Sequence, residues 1–199
     1  KQYVSVCGKT VIEHTSDNFI GRKEIESICV SISKSDKYWS TLPISKNKKI
    51  ITTVGGSERY QSVYNGLSAI KDEADNDDWV LVHDAVRPCI KKEDVKRLIS
   101  ELQNHPIGGI LAVEAVDTLK KVGNEDVVRT IERNKLYQAQ TPQMFRIGLL
   151  KKALEKVVED NDHITDEAEA IERLGHSIKI VSSSKSNIKI THPDEIRQS

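Results

Sequence analysis

In the stretch WVLVHDAVRPCI, residues 79–90, a run of apolar strand formers stops at Asp84 and Arg87, a carboxylate and a guanidinium three residues apart. Asp84 at a strand end suits a hard cation such as Mg²⁺, which keeps most of its waters and takes one or two carboxylates plus substrate phosphates. Arg87 precedes Pro88 and an amphipathic segment, so its guanidinium stands near a helix start, where oxyanions are favoured. The same two side chains can simply pair with each other, and spacing does not choose between these readings. In VGGSERYQS, Gly55 and Gly56 let backbone N–H groups approach a base or phosphate closely, although a Gly-Gly turn is often merely a turn and no GxGxxG or Walker pattern occurs. Thr165 in HITDEAEAIERLG is placed as an N-cap, with Asp166 and Glu167 in the first turn and Gly175 as terminator; its hydroxyl could also meet a substrate oxygen. In NIKIT, alternation sets Lys189 opposite Ile188 and Ile190, the pattern of a solvated lysine. His83 reads as a packed strand-end histidine, and with no second His at ligand spacing a zinc site is not indicated. Lys1 carries no pattern.

The elements that must position these groups follow from hydrophobic period. Apolar runs of strand length fall at Ile28–Ile32, Lys49–Val54, Trp79–Val82, Gly109–Val113, Ser177–Val181 and Ile188–Thr191. Between them lie helical repeats, with Val63, Leu67, Ile70 and Ala74 on one face and Val95, Leu98, Ile99 and Leu102 on another. Alternating strand and helix predicts an α/β fold with a mostly parallel twisted sheet, whose ligands bind at the carboxyl ends of strands. One stretch interrupts the alternation: around GNED, two β-rich segments predict a protruding hairpin arm over about 115–140, turning near Gly123 and Asn124. A ribbon of two strands is weakly stable alone, so a homodimer through this arm is expected.

Length favours one domain over residues 1–199. Thirty Lys and Arg balance thirty Asp and Glu, which gives no reason to expect nucleic acid or an anionic membrane as partner. No run approaches the roughly 18 apolar residues of a membrane span. Cys7, Cys29 and Cys89 lack CxxC spacing and are expected as free thiols in a reducing compartment.

Taken in order, KQY, EHT, GGSERYQSVYNGL, WVLVHDAVRPC, GGILAVEAVDTLKK, TIERNKLYQAQTPQMF, TDEAEAIERLG and NIKITHPDE span nearly the whole chain. Together they resemble the 2-C-methyl-D-erythritol 4-phosphate cytidylyltransferase family of the non-mevalonate isoprenoid pathway. The resemblance implies a Rossmann-like nucleotidyltransferase domain, dimerised by a β-arm, that uses CTP and Mg²⁺. The acceptor's phosphate would attack the α-phosphorus of CTP and expel pyrophosphate. It further implies that Asp84 serves metal and substrate and that Arg87 contacts substrate. Lys1 would stabilise the transition state, while Arg133 and Lys189 position the attacking phosphate. Thr118, Thr141 and Thr165 would be polar substrate contacts, Thr118 and Arg133 crossing the dimer. Gly55, Gly56, Ser62 and Ala85 would lie on the cytidine side. Against the pattern alone, this gives Lys189 a catalytic role.

The family opens with a strand and a glycine-rich loop of the type AAGxGxR ahead of the KQY block, so both are expected to precede Lys1 in the encoded chain. A bacterial member would be cytoplasmic, and a eukaryotic one would belong to a plastid-type organelle. The sister ribitol-5-phosphate cytidylyltransferases share the HDAVRP-like loop and NIK strand, but TDEAEAIE is closer to the methylerythritol enzymes. A non-catalytic dimeric nucleotide-binding scaffold is the alternative of another class. An NAD-dependent dehydrogenase is disfavoured by the missing dinucleotide fingerprint.

Overall fold

Apolar residues on both faces of successive strands force helices onto both sides of a sheet, and the computed structural model, described here for residues 1–191, has this layering. In chain order the elements are β1 (Ser5–Val6), β2 (Lys9–Thr10), α1 (Val11–Ile20), β3 (Ile28–Ile32), β4 (Ile50–Val54), α2 (Arg59–Ala69), β5 (Trp79–Val82), α3 (Lys92–Leu102), β6 (Gly108–Glu114), β7 (Leu119–Gly123), β8 (Asp126–Ile131), β9 (Tyr137–Arg146), α4 (Ile147–Glu159), α5 (Glu167–Arg173) and β10 (Lys179–Ser182).

The central sheet has the order β10-β6-β9-β5, and β3 and β4 form a separate parallel pair. β6 and β10 pair in parallel, while β9 runs antiparallel between β6 and β5. The expected parallel set is therefore present in β5, β6 and β10, with one long reversed strand inserted, and the sheet is mixed. Period-two alternation divides the core. Ile110, Ala112 and Phe145 face Leu67 of α2, Leu150 and Leu154 of α4, and Ile171 of α5. Leu111, Met144 and Val181 face Phe19 of α1 and Val95, Leu98 and Leu102 of α3. Each of these Val, Leu, Ile, Phe and Met side chains, removed from water, contributes roughly 1.5–3 kcal/mol.

α1 begins because Thr10 and Glu13 close a capping box, the Thr10 amide donating to Glu13 Oε2 at 2.8 Å. Where β6 meets β10 the backbones are too close for a side chain, since a Cβ on Gly109 would stand 2.1 Å from the Lys179 carbonyl oxygen. Gly109→Ala is accordingly expected to cost about 3 kcal/mol, as overpacking does, read as a lower urea midpoint at unchanged slope.

Two expectations from the sequence change. The arm is narrower than 115–140, because residues from Tyr137 onward enter the central sheet as β9. Its turn is Asn124–Glu125, both at positive φ (49° and 73°), the two-residue geometry that suits a twisted hairpin. Ile188–Thr191 is not a ladder strand. The segment docks on the loop after β5 through the Ile190 amide, which donates to the Val86 carbonyl at 2.8 Å, and through Ile190 packed with Val11 and Val86. The C-terminal HPDEIRQS, residues 192–199, lies outside the described residues.

Candidate active site

β5 runs out at Val82, and the next two residues are gripped from the neighbouring strand. The Asp84 amide donates to Thr141 Oγ1 at 3.0 Å, and that oxygen lies 3.0 Å from His83 Nδ1. The Arg87 carbonyl can only accept, so the ring proton lies on Nε2 and Nδ1 is left to accept from the Thr141 hydroxyl. His83 Nε2 donates to that carbonyl at 3.1 Å. Burial, with the ring tilted against Phe19 at a centroid distance of 4.9 Å, pushes the imidazole down to about 4. His83 is thus a neutral pin that shapes the turn.

The depressed pKa has a thermodynamic consequence. Between the ordinary His value near 6.5 and about 4, the unfolded chain binds a proton that the folded chain refuses. Stability therefore falls as pH drops through that window, by up to ~3 kcal/mol. Urea melts at pH 7 and pH 4.5 are expected to differ accordingly, and His83→Gln should remove most of the difference.

Asp84 stands with its side chain 11% exposed amid three cations. Arg59 Nε is 3.2 Å from Oδ1; Lys189 Nζ is 3.0 Å and Arg87 Nε 3.6 Å from Oδ2. Burial alone would lift this carboxyl, but Arg59, Lys189 and Arg87 overcome it and hold it below the usual carboxylate range. Arg87 is also anchored by Nη1, which donates to the Asn187 carbonyl at 2.6 Å. The two readings of Asp84 and Arg87 are thus joined: they do pair, within a larger cluster that carries excess positive charge.

Arg59 did not stand out in the sequence, and it is central here. As the first residue of α2 it carries positive charge at a helix N-terminus, where the macrodipole disfavours it, and that oddity was the available signal. Its Nη1 donates to Oε1 of Glu167, the first residue of α5 and fully buried. Burial raises the Glu167 carboxyl despite the opposing pull of Arg59.

The glycine loop leads directly into Arg59. Gly56 N–H donates to Ser62 Oγ at 3.0 Å, and Ser62 Oγ donates to the Glu58 carbonyl at 3.3 Å, closing residues 55–62 on themselves. A Cβ on Gly56 would lie 2.3 Å from Gln61 Cβ, so this close approach requires glycine. Ala85 is exposed, and its carbonyl accepts from Thr15 Oγ1 at 2.9 Å.

Thr165 is not the cap of α5. Asp166 caps it by accepting from the Glu169 amide at 3.0 Å, and Thr165, one residue earlier, donates its hydroxyl to Glu169 Oε2 at 3.0 Å. The shift by one leaves Thr165 exposed on a cavity of about 410 Å³, together with Ala112, Lys135, Tyr137 and Asp166. Thr118, just before β7, and Arg133, just after β8, are exposed at the base of the arm. Among the described residues, neither makes a hydrogen bond or ion pair with the Asp84 cluster.

Lys1 is exposed at the opening turn, its carbonyl accepting from the Val4 amide at 3.1 Å. The segment after it packs through Val6 and Val11 against Val86 and Ile190, beside the loop and the Lys189 segment. No ion pair joins Lys1 to Asp84 among the described residues. No group of three or more His, Cys, Asp or Glu that could hold a metal ion converges among the described residues.

Comparison with known proteins follows the same lines. The model of the 2-C-methyl-D-erythritol 4-phosphate cytidylyltransferase family matches residues 1–199. The chain is 43% identical over 198 residues to the protein of that name from Vesicomyosocius okutanii, covering 98% of this chain and 82% of that one. The crystal structure of the corresponding cytidylyltransferase from Francisella tularensis superimposes with TM-score 0.88 at 39% identity, covering 100% of this chain and 90% of that chain. A crystal structure of a 4-diphosphocytidyl-2C-methyl-D-erythritol synthase superimposes with TM-score 0.91 at 35% identity, covering 99% and 91%. With a cationic Asp84 cluster at a strand end, a glycine loop beside it and a match along the full sequence, the chain belongs to the 2-C-methyl-D-erythritol 4-phosphate cytidylyltransferase family.

Proposed function

We infer that the protein transfers CMP from CTP to 2-C-methyl-D-erythritol 4-phosphate, giving 4-diphosphocytidyl-2-C-methyl-D-erythritol and pyrophosphate. The observation that carries this is the Asp84 cluster. Arg59, Arg87 and Lys189 outnumber Asp84 and Glu167, and the surplus positive charge suits a triphosphate. A phosphate oxygen of the acceptor forms a bond to the α-phosphorus of CTP as the α–β phosphoanhydride bond breaks, and the electron pair leaves with pyrophosphate. The nucleophile has a second pKa of about 6 and is already ionised at neutral pH, so no general base is needed. His83, neutral and occupied at both nitrogens, is not asked to be one. The protein's work is positioning and charge stabilisation.

In this reading Lys189 leaves Asp84 for the attacking phosphate, and Arg133 meets the same phosphate from the partner's arm. Lys1 stabilises the charge that develops on the reacting phosphates. Gly55, Gly56, Ser62 and Ala85 line the cytidine side, and Arg87, Thr118 and Thr165 face the acceptor. Thr141 contributes by holding Asp84 and His83, which already use its hydroxyl. The donor set fits Mg²⁺ in the mode of an ion held mainly by substrate: Asp84 would supply the protein carboxylate and CTP the phosphate oxygens. When bound, the ion would neutralise charge on the triphosphate.

A homodimer through the arm is part of the proposal. Val122, Val127 and Val128 are all more than half exposed on a two-stranded ribbon that pairs with no other strand among the described residues, an apolar surface suited to a second copy. The proposed setting is the bacterial cytoplasm, in keeping with bacterial relatives and three free thiols; no helix among the described residues is long and apolar enough to cross a membrane. The test is ³¹P NMR of a reaction with CTP, MgCl₂ and either 2-C-methyl-D-erythritol 4-phosphate or ribitol 5-phosphate. New diphosphate-diester signals together with pyrophosphate are expected with the first acceptor. Absence of product there, or faster turnover of ribitol 5-phosphate, would overturn the assignment.

A further inference from the structure

Glu167 is the group that the chemistry above leaves without a task. It is fully buried, one oxygen meets Arg59, and the other, Oε2, has no hydrogen-bond partner. Leaving a buried carboxylate oxygen unpaired costs free energy, and a glutamine would fill the same space without a charge. The acid therefore calls for an explanation beyond packing.

Arg59 supplies one, because it is divided between two carboxylates: Nε donates to Asp84 Oδ1 at 3.2 Å while Nη1 donates to Glu167 Oε1. Arg59 lies on Asp84 Oδ1 and Lys189 and Arg87 on Oδ2, so a divalent ion at Asp84 would meet their positive charge; with Lys189 drawn to the attacking phosphate, Arg59 and Arg87 are the cations left facing it. Arg87 is fastened through Nη1 to the Asn187 carbonyl. Of the three cations, Arg59 is the one already touching a second carboxylate, and that carboxylate has an unused oxygen. Turning Arg59 wholly onto Glu167 would convert the shared contact into a two-point pair, the strongest geometry open to arginine.

We propose that Glu167 is a positioning residue for the divalent cation: its unpartnered Oε2 receives Arg59 as CTP and metal bind, so that the Asp84 carboxylate opens to the ion. The inference rests on the cytidylyltransferase reading above. In the free protein the divided Arg59 keeps Asp84 compensated; with metal present, the like charge of the ion pushes Arg59 toward Glu167. Without an anion at 167, Arg59 would have no second carboxylate to receive it and would compete with the ion for Asp84 throughout.

The experiment is Mn²⁺ binding to the full chain, followed by electron paramagnetic resonance at saturating CTP and without acceptor, so that no turnover is involved. Glu167→Gln is expected to raise the Mn²⁺ concentration at half-saturation about tenfold, a typical coupling between sites. Arg59→Met removes the competitor and is expected to lower it, whereas general damage to the site would raise it. Adding Glu167→Gln to Arg59→Met should then have no further effect, because Glu167 acts through Arg59. An unmoved half-saturation in Glu167→Gln, or a rise in Arg59→Met, overturns the inference; should Glu167→Gln lose its near-UV circular dichroism, Arg59→Met decides alone. A wild-type chain that makes no cytidylyl product overturns the functional reading instead, and the ³¹P assay records that separately.

Discussion

Replacing Lys189 with alanine is expected to lower kcat/KM by about a thousandfold while leaving the fold intact. The loss is large because a cation poised at charge that develops in the transition state is worth on the order of 10²–10³ in rate. Lys189 sits 3.0 Å from Asp84 at the centre of the cluster. The fold survives because the side chain is 40% exposed, and ion pairs of that exposure contribute only about 0–1 kcal/mol. The segment is instead held by its neighbour, through the buried Ile190 and the bond from its amide to the Val86 carbonyl. Steady-state kinetics paired with a urea melt checks both halves. A stability loss above about 2 kcal/mol would make Lys189 a structural residue and contradict the assignment.

Asp84→Asn should be equally damaging to turnover, and it also tests the shared site. The substitution keeps a side chain of the same shape but removes the charge that Arg59, Arg87 and Lys189 surround, so a fall of at least about a thousandfold is expected, with a stability cost of ~3 kcal/mol from the uncompensated cations. Arg133→Ala, exposed at the base of the arm, should also be inactive but as stable as wild type. If the arm delivers Arg133 to the partner's site, a mixed dimer of the two variants contains one site with both Asp84 and Arg133. Equal, freely exchanging mixtures should then regain about a quarter of wild-type activity, since half of the dimers are mixed and each has one working site of two. Mixtures that exchange subunits, as seen by a mass or fluorescence label, yet stay inactive would place Arg133 in its own chain's site or outside it.

Much of the scaffold could be read from residue pattern, because burial imposes a period that local sequence records. Ile28–Ile32 and Trp79–Val82 are strands with the expected bounds, and Val95, Leu98 and Leu102 do line the buried face of their helix. The hairpin was visible for a similar reason: GNED supplies a tight turn between β-rich flanks. β9 was harder to see, because QTPQMF mixes polar and apolar residues. Its Gln140, Thr141 and Gln143 are buried by tertiary hydrogen bonds, to Asn187, to Asp84 and to Asp166, that no local period encodes.

Asp84, Arg87 and Lys189 were named as candidates from short motifs and from likeness to a family, yet whether Asp84 and Arg87 merely pair or belong to an anion site could not be settled there. The sequence by itself determined the α/β alternation, the strand end that presents Asp84, and the arm. Only the tertiary structure decided that Arg59 bridges Asp84 to a buried Glu167 and that Lys189 closes on the same carboxylate. Those contacts join residues 25, 108 and 105 positions apart. Hydrophobic period reports which face of an element is buried, whereas the partner of a buried charge is set by how distant elements pack, and that information lies in no single stretch of the chain.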